Sequence, residues 1–295
     1  MLMLQSAGEV RQLVYTSDAL RLAAWAHDAD SPPAISWWDL RTGDALPPTH
    51  LSGWPTHVAI ASHADRIAYM TGTGVYFIRH NDEFVGRGDS GPARRNTMTI
   101  TPNASLLAVS GSVQHQPLQR SVIEVFRPNQ QLSPYRRFSS SLHVHQLAFS
   151  PDGRFLASGG EGGLTIWELP AGESIATFQS SLVDRIVFSP DGFRVAVLRG
   201  KSLVLLETLT ARICWKLEAE DANDFTDVAF APGGRLLAVA SKAGIVEFRD
   251  LADGQIKTKF DWLIGPLLSV AFSPDGLTCA AGNSDGQIVV WDLED

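Results

Sequence analysis

Two histidines one residue apart, His143 and His145, are the first positions whose types and spacing suggest chemistry. In a strand, alternate residues share a face, so both imidazoles point the same way. Two nitrogen ligands make half of a metal site, and no cysteine or carboxylate cluster lies nearby in sequence to complete it. The pair therefore reads as structural or solvent-facing, and no metal or cofactor is expected. The acidic run Glu218–Asp224 reads as a solvated rim, with a divalent cation or a basic partner as the alternative. The sequence contains no nucleophile elbow, no phosphate-binding glycine loop and no zinc-protease helix motif. The expectation is a protein that is not an enzyme.

The elements that would position such residues come from one repeated pattern. In Leu147–Leu169 two apolar strands flank Ser150-Pro151-Asp152-Gly153, a tight turn in which Pro fixes φ, Asp bonds locally and Gly takes the left-handed exit. A third strand, Leu164–Glu168, follows. Seven copies occur, with first strands starting near Leu13, Val58, Met98, Leu147, Ile186, Val228 and Val270. The turn recurs intact at Ser189–Gly192 and Ser273–Gly276, becomes Ala231-Pro232-Gly233-Gly234 in the sixth copy, and is worn down to Thr101–Ala104, Thr16–Ala19 and Ala61–Ala64. A period of roughly forty residues with three or four strands per unit is the signature of a propeller blade.

On these turns, on Leu156–Ser158 and on the strand ends Trp38-Asp39, Trp167-Glu168 and Trp291-Asp292, the chain resembles the WD40 repeat family over essentially its whole length. The resemblance implies an all-β, seven-bladed WD40-type propeller forming a single domain, 1–295. In the family a Trp, a Ser or Thr, an Asp and a His bond to one another within a blade. Ser158 and Trp167 match two of those positions in the fourth unit, with Glu161 near the Asp position, and Asp285 and Trp291 match in the seventh, where Ala281 replaces the Ser. Ile78, Phe126, Leu206 and Phe248 stand where the other units would carry Trp. Trp38, Trp167 and Trp291 are expected in the core. The turn motif also resembles periplasmic TolB-like propellers, but the Trp-Asp endings and the absence of an export signal favour WD40.

The C-terminus ends on a third strand, so the last blade lacks its outer one. Leu2–Gln5 is the spare strand; donating it would close the ring and hide an exposed edge, and the alternative is a frayed apolar tail. A net charge of −8 and pI near 5.5 argue against non-specific nucleic-acid binding, which needs a basic footprint. No run of about 20 apolar residues suggests a membrane span. Cys214 and Cys279 lie in apolar strands of different units, where buried reduced thiols fit a cytoplasmic protein.

In the family, loops between the second and third strands of a blade open on the narrower face, where partners dock. The third unit has its longest insertion there, Gly111–Arg120, which includes His115 and Gln116. Gly86–Asn96 reads as an exposed loop. Lys201 and Lys242 occupy equivalent turns of units five and six. Trp262-Leu263-Ile264 is apolar where the family has a polar turn. Trp262 either anchors a partner or folds inward to fill a gap left by a missing bonding network. Two functions follow: a non-enzymatic scaffold for proteins or peptides, or a propeller with a small-molecule, metal or hydrolase site at the channel mouth, to which His27, Asp28, Asn283 and Asp285 would contribute.

Overall fold

The computed structural model describes residues 1–28, 31–63, 66–71, 74–79, 84–88, 94–112, 121–128, 134–141, 143–169, 171–219 and 223–293, with backbone alone at 74–79, 84–88, 94–96 and 112. Among them 28 strands form seven four-stranded sheets, and no helix is long and apolar enough to cross a membrane. The first sheet holds Glu9–Tyr15, Arg21–His27, Ala34–Asp39 and Ala45–His50. The second holds His57–Ala61, Arg66–Thr71, Gly74–Arg79 and Phe84–Gly88, and the third Arg94–Ile100, Leu107–Ser112, Ser121–Phe126 and Arg136–Ser140. The fourth comprises His143–Phe149, Phe155–Glu161, Gly163–Glu168 and Glu173–Gln179, the fifth Arg185–Phe188, Arg194–Arg199, Ser202–Glu207 and Ile213–Glu218. Phe225–Phe230, Leu236–Ser241, Ile245–Asp250 and Ile256–Asp261 make the sixth. The seventh runs Leu267–Phe272, Thr278–Asn283, Gln287–Asp292 and then Leu2–Gln5. This is the all-β, seven-sheet architecture of a seven-bladed WD40-type propeller, and each expected unit supplies one sheet.

The borrowed strand is antiparallel to Gln287–Asp292, with Leu2 opposite Val290 and Gln5 opposite Gln287. Leu4 is buried against Ile288, Val290 and Leu13, while Met3 is 51% exposed. Such alternation marks a strand with one covered face.

Burial falls from the middle strands outward. Phe155–Glu161 is buried at every position but the last, whereas the fourth strands Ile213–Glu218 and Ile256–Asp261 are mostly exposed. That gradient corrects one expectation: Cys214 is exposed, because it sits on a fourth strand, while Cys279 on a second strand is buried. Both are unpaired thiols. The stretch Gly86–Asn96 is strand at both ends, and its middle lies outside the described residues.

The chain divides into two compact units. One comprises Met1–Ser52, Gly200–Val204 and Trp215–Asp295; its core packs Leu13, Leu22 and Trp38 with Ile288, and Val246, Phe248 and Ile264 with Trp291. The other comprises Gly53–Arg199 and Leu205–Cys214; Met70 packs with Met98 and Leu107, and Phe138 with Leu147 and Trp167.

The recurrent turn works as its residues dictate. Ser150 Oγ donates to Asp152 (2.6 Å) and accepts the Phe155 amide (2.8 Å), and Asp152 accepts the Arg154 amide (3.0 Å). Gly153 exits at φ +71°. Two of the worn copies keep this geometry with other residues: Thr16 donates to Asp18 and Thr101 to Asn103, and Ala19 and Ala104 stand left-handed at φ +58° and +53°.

Candidate functional site

The three strand-end tryptophans are buried, as expected. Trp167 Nε1 donates to Ser158 Oγ at 2.8 Å, and its ring stacks on Phe138 at 5.2 Å. In the seventh sheet Trp291 has the same register, opposite Cys279 as Trp167 is opposite Leu156. Ala281 stands where Ser158 would be, and Trp291 Nε1 is left buried without a partner. Replacing Ala281 by Ser should supply the acceptor and stabilise the protein by about 1 kcal/mol, read as a higher denaturant midpoint at unchanged slope. Asp285 is exposed in its turn, where its carboxylate accepts the Ser284 hydroxyl at 3.3 Å. It does not reach Trp291, because the turn is fastened by the fully buried Asn283 instead. Asn283 accepts the amides of Asp285 (2.9 Å) and Gln287 (2.8 Å) and donates to the Ile264 carbonyl.

That last bond builds the site. The linker from Asp261 to Pro266 joins the sixth and seventh sheets and is pinned on both sides. On one side lie Asn283 and the Ser284 amide, which donates to the Pro266 carbonyl at 3.3 Å. On the other lies Gly244, where a Cβ would come within 2.8 Å of the Gly265 carbonyl. Of the two readings of Trp262, the inward one describes its place. Its ring lies 5.9 Å from Phe260 and 5.3 Å from Trp291 and fills space beside the unbonded indole. Trp262 is half-buried and Ile264 is buried. Between them Leu263 is 88% exposed at φ +54°, its amide held by Asp261 Oδ1 at 2.9 Å. A left-handed non-glycine residue is disfavoured by about 1–2 kcal/mol and persists only where its surroundings impose it.

The neighbouring turn carries Lys242, whose ammonium donates to Asp224 at 2.7 Å. This bond holds the Asp224 carboxyl below its usual range, and Lys201 adds to the effect from nearby. The structure thus brings Lys201, Lys242 and one end of the acidic run together. Next to them a cleft is lined by Glu218, Asn223, Ser241, Ala243, Ile245 and Glu247. Of its two carboxylates, Glu247 is held by Arg249 (2.5 Å) and Lys259 (2.8 Å). His115, Gln116 and nearly all of Gly111–Arg120 lie outside the described residues, as do 220–222 of the acidic run.

Three features escaped the sequence reading. Asp227, buried in the sixth sheet, accepts the Val228 amide (2.9 Å) and, across to the seventh sheet, the Val270 amide (3.0 Å). Trp54, in the linker before the second sheet, is 60% exposed. Glu161 lies directly opposite His143, so strand pairing supplies the carboxylate that the neighbouring sequence lacks.

Seven four-stranded sheets, SPDG-type turns and a Trp-Ser bond within a sheet define a WD-type propeller. Comparison with known proteins agrees: the family described as "WD domain, G-beta repeat" matches residues 132–168 and 263–292, so these two segments carry WD repeats of that family. It is similar to WD repeat-containing protein SL1-17 of Schistosoma mansoni, 30% identical over 45% of this chain and 44% of that protein. WD repeat-containing protein AAC3 of Dictyostelium discoideum is 29% identical over 52% of this chain and 34% of its own length. COMPASS component SWD3 of Saccharomyces cerevisiae is 27% identical over 35% of this chain and 33% of its own. The chain therefore spans less than half the length of each of these relatives.

Proposed function

We propose that this protein is a non-enzymatic scaffold that docks a protein or peptide on the loop end of its sixth and seventh sheets, with Leu263 as the apolar anchor. The observation that carries this reading is the 88% exposure of Leu263 in a left-handed conformation. A rigid, solvated Leu between two inward-packed residues costs stability and gains nothing from the fold, whereas interfaces use such preorganised apolar anchors. Lys242 and Lys201 provide a polar rim, and an acidic segment of the partner would compete with Asp224 for the ammonium. One relative is named as a component of a complex, which accords with a scaffold role. We place the protein in the cytoplasm, where the exposed thiol of Cys214 fits a reducing environment.

The test is affinity capture from the native source with wild-type protein and Leu263→Asp. Asp tolerates the left-handed region better than Leu, so the variant should fold with an unchanged or higher melting temperature. The expected result is partner affinity about thirtyfold weaker, as for an interface hot spot of about 2 kcal/mol. Equal affinity for both proteins would remove this face from consideration.

A further inference from the structure

The structure assigns a second site in the other compact unit: we propose that His143, His145 and Glu161 bind a divalent transition-metal cation of the zinc class. The ligand atoms of the three side chains lie within 4.8 Å of one another. His143 Nδ1 and His145 Nε2 are 3.0 Å apart, one ring nitrogen donating to the other. Two zinc–imidazole bonds of about 2.0–2.1 Å at the tetrahedral angle would set their nitrogens about 3.3 Å apart, so the pair already has nearly the required spacing. Loading the site removes the hydrogen bond between the rings: each ring turns its lone pair to the metal and carries its proton on the other nitrogen. Glu161, exposed at the end of its strand, is the cross-strand partner of His143 and supplies the oxygen ligand. Two imidazoles and a carboxylate suit zinc better than magnesium or calcium, which prefer all-oxygen shells. Three protein ligands leave the fourth tetrahedral position open to water or to an external ligand.

The scaffold holds this arrangement in place. A bulge between Val144 and Gln146 interrupts the strand at His145, and bulges are devices that re-aim side chains. The backbone between the histidines is fixed from the third sheet: the Val144 amide donates to Ser121 Oγ at 3.0 Å, and Ser110 Oγ donates to the Val144 carbonyl at 3.4 Å. Gly160 permits the approach, since a Cβ there would fall 1.8 Å from the His143 carbonyl oxygen. The backbone that carries the two imidazoles is thus set by buried contacts, which is what holding ligands in a fixed geometry requires.

The experiment is a Zn²⁺ titration of the purified full chain by calorimetry, with Co²⁺ substitution to read coordination from the visible bands. The expected result is one ion per chain at micromolar metal, Co²⁺ bands of four-coordinate intensity, and affinity at least about tenfold weaker in both His145→Gln and Glu161→Gln. Absence of binding at micromolar metal, or binding unchanged in the two variants, would overturn the assignment. Should His145→Gln fail to fold, Glu161→Gln alone decides, because its exposed side chain can be replaced without disturbing the core.

Discussion

Removal of residues 1–5 should lower the melting temperature by about 10 °C and make the protein self-associate. The strand Leu2–Gln5 covers the edge of Gln287–Asp292, and an uncovered strand edge pairs with other chains. Leu4 is buried among Leu13, Ile288 and Val290, and losing a core Leu costs about 2–5 kcal/mol. At roughly 2–4 °C per kcal/mol for a large domain, that side chain alone accounts for most of the shift. Alternation supplies an internal control: Leu4→Asp should reproduce the loss, while Met3→Asp, on the exposed face of the same strand, should melt close to wild type. Calorimetry and light scattering check both halves of the expectation. A truncated protein that melts normally and stays monomeric would show that the strand pairing contributes nothing.

Asp227→Ala should destabilise the protein by about 4 kcal/mol. Its carboxylate is buried and bonds two buried backbone amides, one of them on the next sheet. Hydrogen bonds to a charged group contribute about 1.5–3 kcal/mol each, and an amide left unpaired in the interior loses water without recompense. Asp227→Asn keeps one acceptor and should show an intermediate loss. Denaturant unfolding monitored through tryptophan fluorescence measures the series. A change below about 1 kcal/mol for the Ala variant would contradict the clamp.

The seven sheets were legible because their signals are local and repeated. Pro, Asp and Gly dictate a turn wherever they fall together, and even the worn turns at Thr16 and Thr101 keep the hydroxyl-to-acceptor bond that closes the intact ones. The unpaired indole of Trp291 was legible too, since Ala281 cannot accept a hydrogen bond. Asp227 was not. The residue just before the apolar start of each unit is Gln12, His57, Thr97, Gln146, Arg185, Asp227 or Ser269, so no periodic signal marks the buried carboxylate that bonds amides of two sheets. The roles of Asn283 and Glu161 were hidden for a related reason: their partners, Ile264 in the linker and His143 on the neighbouring strand, are brought to them by a pairing that no single stretch of sequence reveals. For Trp262 the sequence admitted two orientations, and the aromatic cluster of Phe248, Phe260 and Trp291 selects the inward one. With Trp262 turned inward, the exposed apolar residue of the linker is Leu263.

The docking assignment is tested most directly by placing a photo-reactive phenylalanine analogue at position 263 and, in a second protein, at position 277. Leu277 is also exposed, at 63%, but sits in the turn at the far end of the strand Leu267–Phe272. Irradiation with the captured partner should give a cross-link from position 263 and none from position 277. A cross-link from 277 alone would place the partner on the opposite end of the seventh sheet and contradict the account.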